Sequence, residues 1–378
     1  PAVRRLPPPC FPPAPVPHSP AAMPAAADAR SFTVHAGPRA AAWIRKHGLA
    51  PADIRCVPAA AGGPKGLGLL PLDARLFGRG GWLHEATDLH LVGASIGAWR
   101  LFCAAQRDAD AALTRLREGY LSQRFPRKPT PRQVSNQSRL LARALLDDGR
   151  LPPLRDGVAL SVITARARGA LARGHGPAAF MHSAARNLAG RHHLAAHMER
   201  VVFASGASAF PPGCDAFGCT RVPLTDANAE DALLASGSIP LIFTPVRDPS
   251  GAPPGAYWDG GLIDYHLLLP YQQLDGLVLY PHFVPFITPG WLDKYLPWRR
   301  HARAHHWLDN LLLIAPSPAF LARLPNGKLP DRNDFTRYGE QQDARERDWR
   351  RAVAECERLA DEVMAWLARP DAGLLRAL

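Results

Sequence analysis

No apolar run in the 378-residue chain reaches membrane-spanning length, so an integral membrane protein held by apolar helices is not expected. Cysteine is scarce and unpatterned. Cys10, Cys56, Cys103, Cys214, Cys219 and Cys356 include no C-x-x-C pair, which argues against a disulfide framework. They read as reduced thiols of a cytosolic protein, with Cys214 and Cys219 a pair that could bridge in an oxidising compartment. Residues 1–30 are rich in Pro and Ala and lack both a signal-peptide apolar region and an A-x-A cleavage context. Arg4-Arg5 is too bare for a twin-arginine signal, and Leu6-Pro7-Pro8-Pro9-Cys10 is a poor lipobox. This segment is expected to be disordered, with Met23 a candidate start. There is no internal repeat, no nucleic-acid-binding motif and no aromatic RNP-like element, so a nucleic-acid partner is not expected.

Several features are present in strength. A hydrophobic content of 47% is ample for a buried core, and the length allows either two average domains or one large α/β domain. Lys and Arg outnumber Asp and Glu by 45 to 33, giving a formal charge of +12 that favours an anionic partner. Much of the excess is arginine scattered through helical stretches, as on a solvated surface. An anionic phospholipid surface is the partner most compatible with the chemistry read below. Strand-like runs at 54–60, 88–93, 158–165, 200–205, 275–280 and 310–315 alternate with helical stretches such as 39–48 and 67–79. That alternation predicts an α/β fold, a three-layer α/β/α sandwich.

The densest chemical signal is Gly93-Ala94-Ser95-Ile96-Gly97, which follows the apolar run Leu89 to Val92 and precedes a helix-compatible stretch. Strand, sharp turn, serine and helix are what a nucleophile elbow requires. Upstream, Gly62-Gly63-Pro64-Lys65-Gly66 is a glycine-rich turn able to aim backbone N–H groups at a developing oxyanion. Gly62 and Gly63 are the obvious donors, with Lys65 and Gly66 beside them. Pro64 has no N–H to give. Downstream, Asp259-Gly260-Gly261 places an aspartate on a turn between a proline-rich loop and the apolar stretch Leu262 to Leu269. By itself that is a plain turn signal.

In this order and spacing the three segments resemble the patatin-like phospholipase family, which combines a G-G-x-[KR]-G oxyanion loop, a G-x-S-x-G elbow and a D-G-[GA] motif. The stretch Ala235-Ser236-Gly237-Ser238-Ile239-Pro240 also looks like that family's A-S-x-x-x-P block. One departure is Ala61, where many members carry a further glycine. The resemblance covers roughly Cys56 to Leu269. It implies a catalytic domain over 31–333 and a Ser95–Asp259 dyad without histidine. It also implies a covalent acyl-enzyme and a phospholipid or lysophospholipid substrate, with no metal or organic cofactor. An ordinary aspartate, with pKa about 3.9, is a weak base for a serine hydroxyl, so burial beside Tyr257 and Trp258 is expected to raise it.

Other readings accompany this one. His266 and His282 follow Asp259 and would give a Ser–Asp–His order. Lys65 could serve as a base or a phosphate ligand, but the loop lacks the Gly-Lys-[Ser/Thr] ending of a Walker A motif. His192, His193 and His197 contain a zinc-like spacing with neither an intervening glutamate nor a third ligand. Residues 108–150 read as a helical insertion centred on the basic loop Arg124 to Lys128, able to cap the site. Residues 334–378 read as a C-terminal helical segment, with one long helix from Asp334 to Leu367. Between His282 and Trp307, Phe283, Phe286, Trp291, Tyr295, Trp298 and Trp307 alternate with Lys294, Arg299, Arg300 and Arg303. That mixture suits either a core-packed loop or peripheral contact with an anionic membrane face from the cytoplasm. The same site would also serve an acyltransferase, or a lipid-binding regulatory protein with little turnover.

Overall fold

Apolar runs bounded by Gly, Pro and Asp become the strands of one eleven-stranded sheet in the computed structural model, which describes residues 30–173, 176–206, 210, 215–296, 298–299 and 305–378. The expected disordered segment, Met23, Cys10, Cys214, Arg300 and Arg303 lie outside the described residues. In chain order the strands are β1 (Phe32–Ala36), β2 (Ile54–Ala59), β3 (Leu89–Ala94), β4 (Val158–Ala167), β5 (Met198–Ala204) and β6 (Thr220–Pro223). They continue with β7 (Val246–Arg247), β8 (Ala256–Asp259), β9 (Leu277–Pro281), β10 (Leu311–Pro316) and β11 (Leu375–Ala377). The spatial order is β11-β1-β10-β9-β2-β3-β4-β5-β6, with β8 joining β4 and β7 joining β8.

The centre of the sheet, β10-β9-β2-β3-β4, is parallel throughout. Parallel strands are covered on both faces and therefore read as continuous apolar runs. Leu277 to Pro281 and Leu311 to Pro316 are accordingly buried at every position. The antiparallel pairings fall at β1–β10, β4–β5, β4–β8 and β7–β8.

The helices are α1 (Pro38–His47), α2 (Leu70–Phe77), α3 (Ile96–Ala104), α4 (Ala109–Leu121), α5 (Pro131–Ala144) and α6 (Gly169–Arg173). After them come α7 (Pro177–Ala189), α8 (Ala229–Gly237), α9 (Pro318–Arg323), α10 (Asn333–Tyr338) and α11 (Gln342–Ala368). The molecule is thus a mixed α/β protein whose central, mostly parallel sheet is flanked by helices. Helix α3 packs on β2, β3 and β4, and α8 on β4 and β8. The insertion forms α4 and α5, which pack on each other, on α3 and on α8. Thr130 caps α5 in a capping box, its hydroxyl taking the Gln133 N–H at 3.3 Å while Gln133 Oε1 takes the Thr130 N–H at 2.9 Å. Among the described residues no helix is long and apolar enough to cross a membrane.

Two local expectations need correction. The helix expected over 334–367 is broken, because Gly339 takes φ 53° and ends α10 before α11 begins. Only glycine adopts that conformation readily, and it is the usual helix stop. The C-terminal segment also ends in β11, which pairs in parallel with β1 at the sheet edge. Asp259 closes strand β8 and also caps the turn that follows, its Oδ1 accepting the Gly261 N–H at 2.7 Å.

Candidate active site

Strand β4 acts as the ruler for the site. Its first half pairs in parallel with β3, so that Ala94 lies opposite Ile163. Its second half pairs on the same edge with β8 running the other way, so that Asp259 lies opposite Thr164. The ends of β3 and β8 therefore meet at consecutive positions of one strand, and the residue after Ala94 is Ser95. The Ser95 hydroxyl is close enough to the Asp259 carboxylate to favour its charged form, and both residues are only 4% exposed.

Ser95 sits at φ 56°, ψ −133°, a conformation that costs a non-glycine residue roughly 1–3 kcal/mol. Hydrogen bonds hold it there. The Ser95 N–H donates to Ser236 Oγ at 2.9 Å, and Ser236 Oγ donates to the Ile163 carbonyl at 2.7 Å. Two residues on, the Ser238 carbonyl accepts the Asp259 N–H at 2.8 Å. The Ala235-to-Pro240 block, noticed in the sequence only by resemblance, thus ties the backbones of both dyad residues to β4.

The motif glycines are places of close approach. A Cβ on Gly97 would lie 2.0 Å from the Ala59 carbonyl oxygen, so only glycine lets α3 cross β2 at this distance. A Cβ on Gly93 would meet Ala98 N at 2.6 Å, and one on Gly260 the Ile163 carbonyl oxygen at 2.3 Å. Gly66 faces Ile96 and Gly261 faces Ala61, which stacks the glycine-rich loop against both the elbow and the Asp259 turn. Behind them Arg100 of α3 clamps Asp73 of α2 through two bonds of 2.6 and 2.7 Å, with both side chains 1% exposed.

In the glycine-rich loop the amides are unequal. The Ala61 N–H is committed to the Tyr265 carbonyl at 2.9 Å. From Gly63 to Leu69 the chain is a 3-10 helix, whose i→i+3 ladder draws in the Gly66 amide. Among the described residues no backbone carbonyl takes the N–H of Gly62 or Gly63, and Gly63 needs its φ of 58° to turn there. A further donor, missed in the sequence reading, is the first-turn N–H of Ile96, which has no intrahelical partner.

Burial raises the Asp259 pKa from 3.8 to about 6, against the opposing pull of Arg332, the Ser95 hydroxyl and the Gly261 N–H. The Gly261 N–H lies 2.7 Å from Oδ1. Trp258 is not the cause of that burial in the way expected. Alternation along β8 turns it to the opposite face, where it packs edge-on against Phe180 with ring centroids 5.4 Å apart.

Two cavities meet at the dyad. Ser95 opens into one of about 590 Å³, whose walls include Trp99, Leu141, Leu234 and Phe243. The insertion and the C-terminal segment supply its far side through Phe125, Val134, Phe335 and Arg345. Asp259 opens into a smaller one of about 160 Å³, bordered by Gly62, Lys65, Tyr265, Lys294 and Arg332. Arg332 and Ile239 line both. Neither Arg332 nor Lys294 belongs to a motif. Only the fold brings them to the site.

Of the remaining candidates, the histidines stand apart from Ser95 and Asp259. His266 Nδ1 accepts the Thr288 N–H at 3.0 Å, and His282 Nδ1 accepts the Val284 N–H at 3.0 Å. Burial pushes the His282 pKa down to about 3 and His266 well below its ordinary value, and neither is among the groups acting on Asp259. Lys65 Nζ sits 5.0 Å over the Phe283 ring. His193 packs against His192 and His197 against His182, and His192 to His193 lie in a 3-10 helix rather than on one α-helical face. Among the described residues no three His, Cys, Asp or Glu side chains gather as a metal site. In the 282–307 segment Phe283 is buried, and Arg299 bonds the carbonyls of Asn187 and Leu188, while Tyr295 and Trp298 are exposed.

No protein-family model matches the chain, and no curated protein matches it.

Proposed function

We propose that the chain is a serine carboxylic-ester hydrolase for a lipid-like acyl ester, working through the Ser95–Asp259 dyad. The observation that carries this reading is the junction on β4. A strained, buried serine sits beside a buried carboxylate whose pKa of about 6 suits a base near neutral pH. The ester lies across the two cavities, its acyl chain beyond Ser95 and its alcohol beyond Asp259. Ser95 Oγ attacks the carbonyl carbon as Asp259 takes its proton. The oxyanion faces the N–H groups of Gly62, Gly63 and Ile96, each such donor being worth roughly 100- to 1,000-fold in rate.

Asp259 stands on the alcohol side and returns its proton to the departing oxygen, leaving the acyl-enzyme. Water, deprotonated by the same carboxylate, then releases the fatty acid and restores Ser95. Every proton and electron pair is supplied by the chain, the ester and water, so the sequence needs no cofactor.

Resemblance to the patatin-like phospholipase family supports a phospholipid or lysophospholipid substrate and the finer three-layer arrangement. The exposed side chains Leu188, Tyr295 and Trp298, with Arg299 bonding the Leu188 carbonyl, support peripheral contact with an anionic membrane surface.

A fluorophosphonate probe tests the central reading. Wild type should be labelled at Ser95, and Ser95→Ala should lose labelling together with about 10,000-fold or more of esterase rate. Folded wild type that resists the probe would remove the hydrolase reading and leave a lipid-binding scaffold. Loss of vesicle binding in Trp298→Ala would support the membrane contact, and unchanged binding would refute it.

A further inference from the structure

The smaller cavity is lined by three cations. Lys65, Lys294 and Arg332 border it together with Asp259, and they are close enough for Arg332 and Lys65 both to act on Lys294. The other carboxylates nearby are already paired. Asp293 is held by Arg191 at 3.4 Å and Arg299 at 3.7 Å, and Asp331 by Lys328 at 2.8 Å. Among the described residues the cavity is bordered by one other carboxylate, Asp259, which is neutral whenever it carries the serine proton.

The aromatic lining matters equally. Lys294 Nζ lies 4.5 Å from the Trp291 ring centroid, 4.8 Å from Tyr295 and 5.9 Å from Tyr265. Three rings around an ammonium form the box that proteins use to bind quaternary ammonium groups. Here the chain's own lysine fills it.

Resting on the hydrolase reading above, we propose that this cavity is an anion subsite in which Lys65, Lys294 and Arg332 hold a phosphate-type oxyanion on the alcohol half of the ester. They thereby select anionic head groups over choline-bearing or uncharged ones. A choline group finds its aromatic box occupied and three like charges around it. A phosphate monoester instead meets cationic donors along the same wall. Burial, with Arg332 and Lys65 nearby, draws the Lys294 pKa down to about 7. An arriving anion favours the charged lysine, so binding near neutral pH takes up protons.

The test compares three esters with the same acyl chain: a lysophosphatidic acid, a lysophosphatidylcholine and a monoacylglycerol. Wild type should cleave the first with the highest kcat/KM. Lys294→Met should lower the ratio of anionic to uncharged substrate about 10- to 100-fold, and Lys294→Arg should largely restore it. Arg332→Gln should lower the same ratio and serves if Lys294→Met does not fold. A wild type that prefers the choline ester, or a ratio unmoved in the folded variants, overturns the proposal.

Binding is read separately by titrating inorganic phosphate and glycerol 3-phosphate into Ser95→Ala protein. Both should bind with proton uptake near pH 7, and the added Lys294→Met change should abolish it. Inorganic phosphate that binds without any head-group preference in turnover means a free-anion site and overturns the assignment to the substrate. Failure of every ester and of the fluorophosphonate probe indicts the hydrolase reading instead, while absence of anion binding indicts the subsite.

Discussion

Replacing Asp259 by asparagine should abolish turnover and make the protein more stable. In the folded state burial holds the Asp259 pKa at about 6, whereas in the unfolded chain it returns to about 3.8. Below pH 4 both states carry the proton and the site costs nothing. As pH rises from 4 to 6 the unfolded chain releases its proton first, so the folded state binds more protons and stability falls. Above pH 6 the full penalty is present. A gap of about 2 pH units at about 1.4 kcal/mol each amounts to roughly 3 kcal/mol. Asparagine has no proton to lose, and its Oδ1 can still accept the Gly261 N–H. Asp259→Asn should therefore gain up to about 3 kcal/mol over wild type at pH 7.5, a Tm increase on the order of 5 °C. At pH 4 the gain should nearly vanish. Thermal unfolding of the two proteins across this range is the assay. A variant less stable than wild type at pH 7.5, or equally stabilised at both pH values, would refute the reasoning that Asp259 is held in a costly charged state.

The same carboxylate governs the pH profile. With a pKa of about 6 only about a tenth of it is ionised at pH 5, so kcat/KM on an uncharged ester should show an acidic limb near 6 and not near 4. Because Arg332 favours the ionised form, Arg332→Gln should move that limb to higher pH; a downward shift would count against the assignment. Gly97→Ala drives a methyl into the Ala59 carbonyl and should destabilise by about 3 kcal/mol or more, read as a fall in Tm. Asp73→Asn leaves Arg100 charged and buried and should cost about 3–5 kcal/mol. The pair Asp73→Leu with Arg100→Met should recover most of it, and failure to recover would mean that the pair's charge is itself required.

The parts of the molecule readable in the sequence are those whose backbone demands are local. Gly93, Ser95 and Gly97 announce themselves because a strained serine between two crossing elements tolerates no other spacing. Strands β2, β3, β9 and β10 are legible as apolar runs because parallel strands bury both faces. Strand β8 is not, since its four residues follow a proline- and glycine-rich loop and its pairing partner lies about ninety positions earlier. The break at Gly339 hides within a stretch that is otherwise helical in period. Arg332 carries no local signal at all, and Lys294 is marked only as one cation of the aromatic stretch from His282 to Trp307. They reach Asp259 only through the fold, and so the charge of the smaller cavity could not be anticipated.

The meeting of Ser95 and Asp259 where β3 and β8 end on adjacent rungs of β4 has a consequence for cooperativity. Their relative position is set by the interior ladder of the sheet, where amides open to exchange only with the largest unfolding events. The far side of the larger cavity, by contrast, comes from α4, α5, α10 and α11, elements that lie outside the sheet. Substrate range and reactivity are therefore separable under mutation. Grafting a different helical pair between α3 and β4 should change which acyl chains enter while leaving Ser95 and Asp259 in register. Conversely, activity should disappear in a single step with global unfolding, because no partly opened state keeps one dyad residue in place without the other.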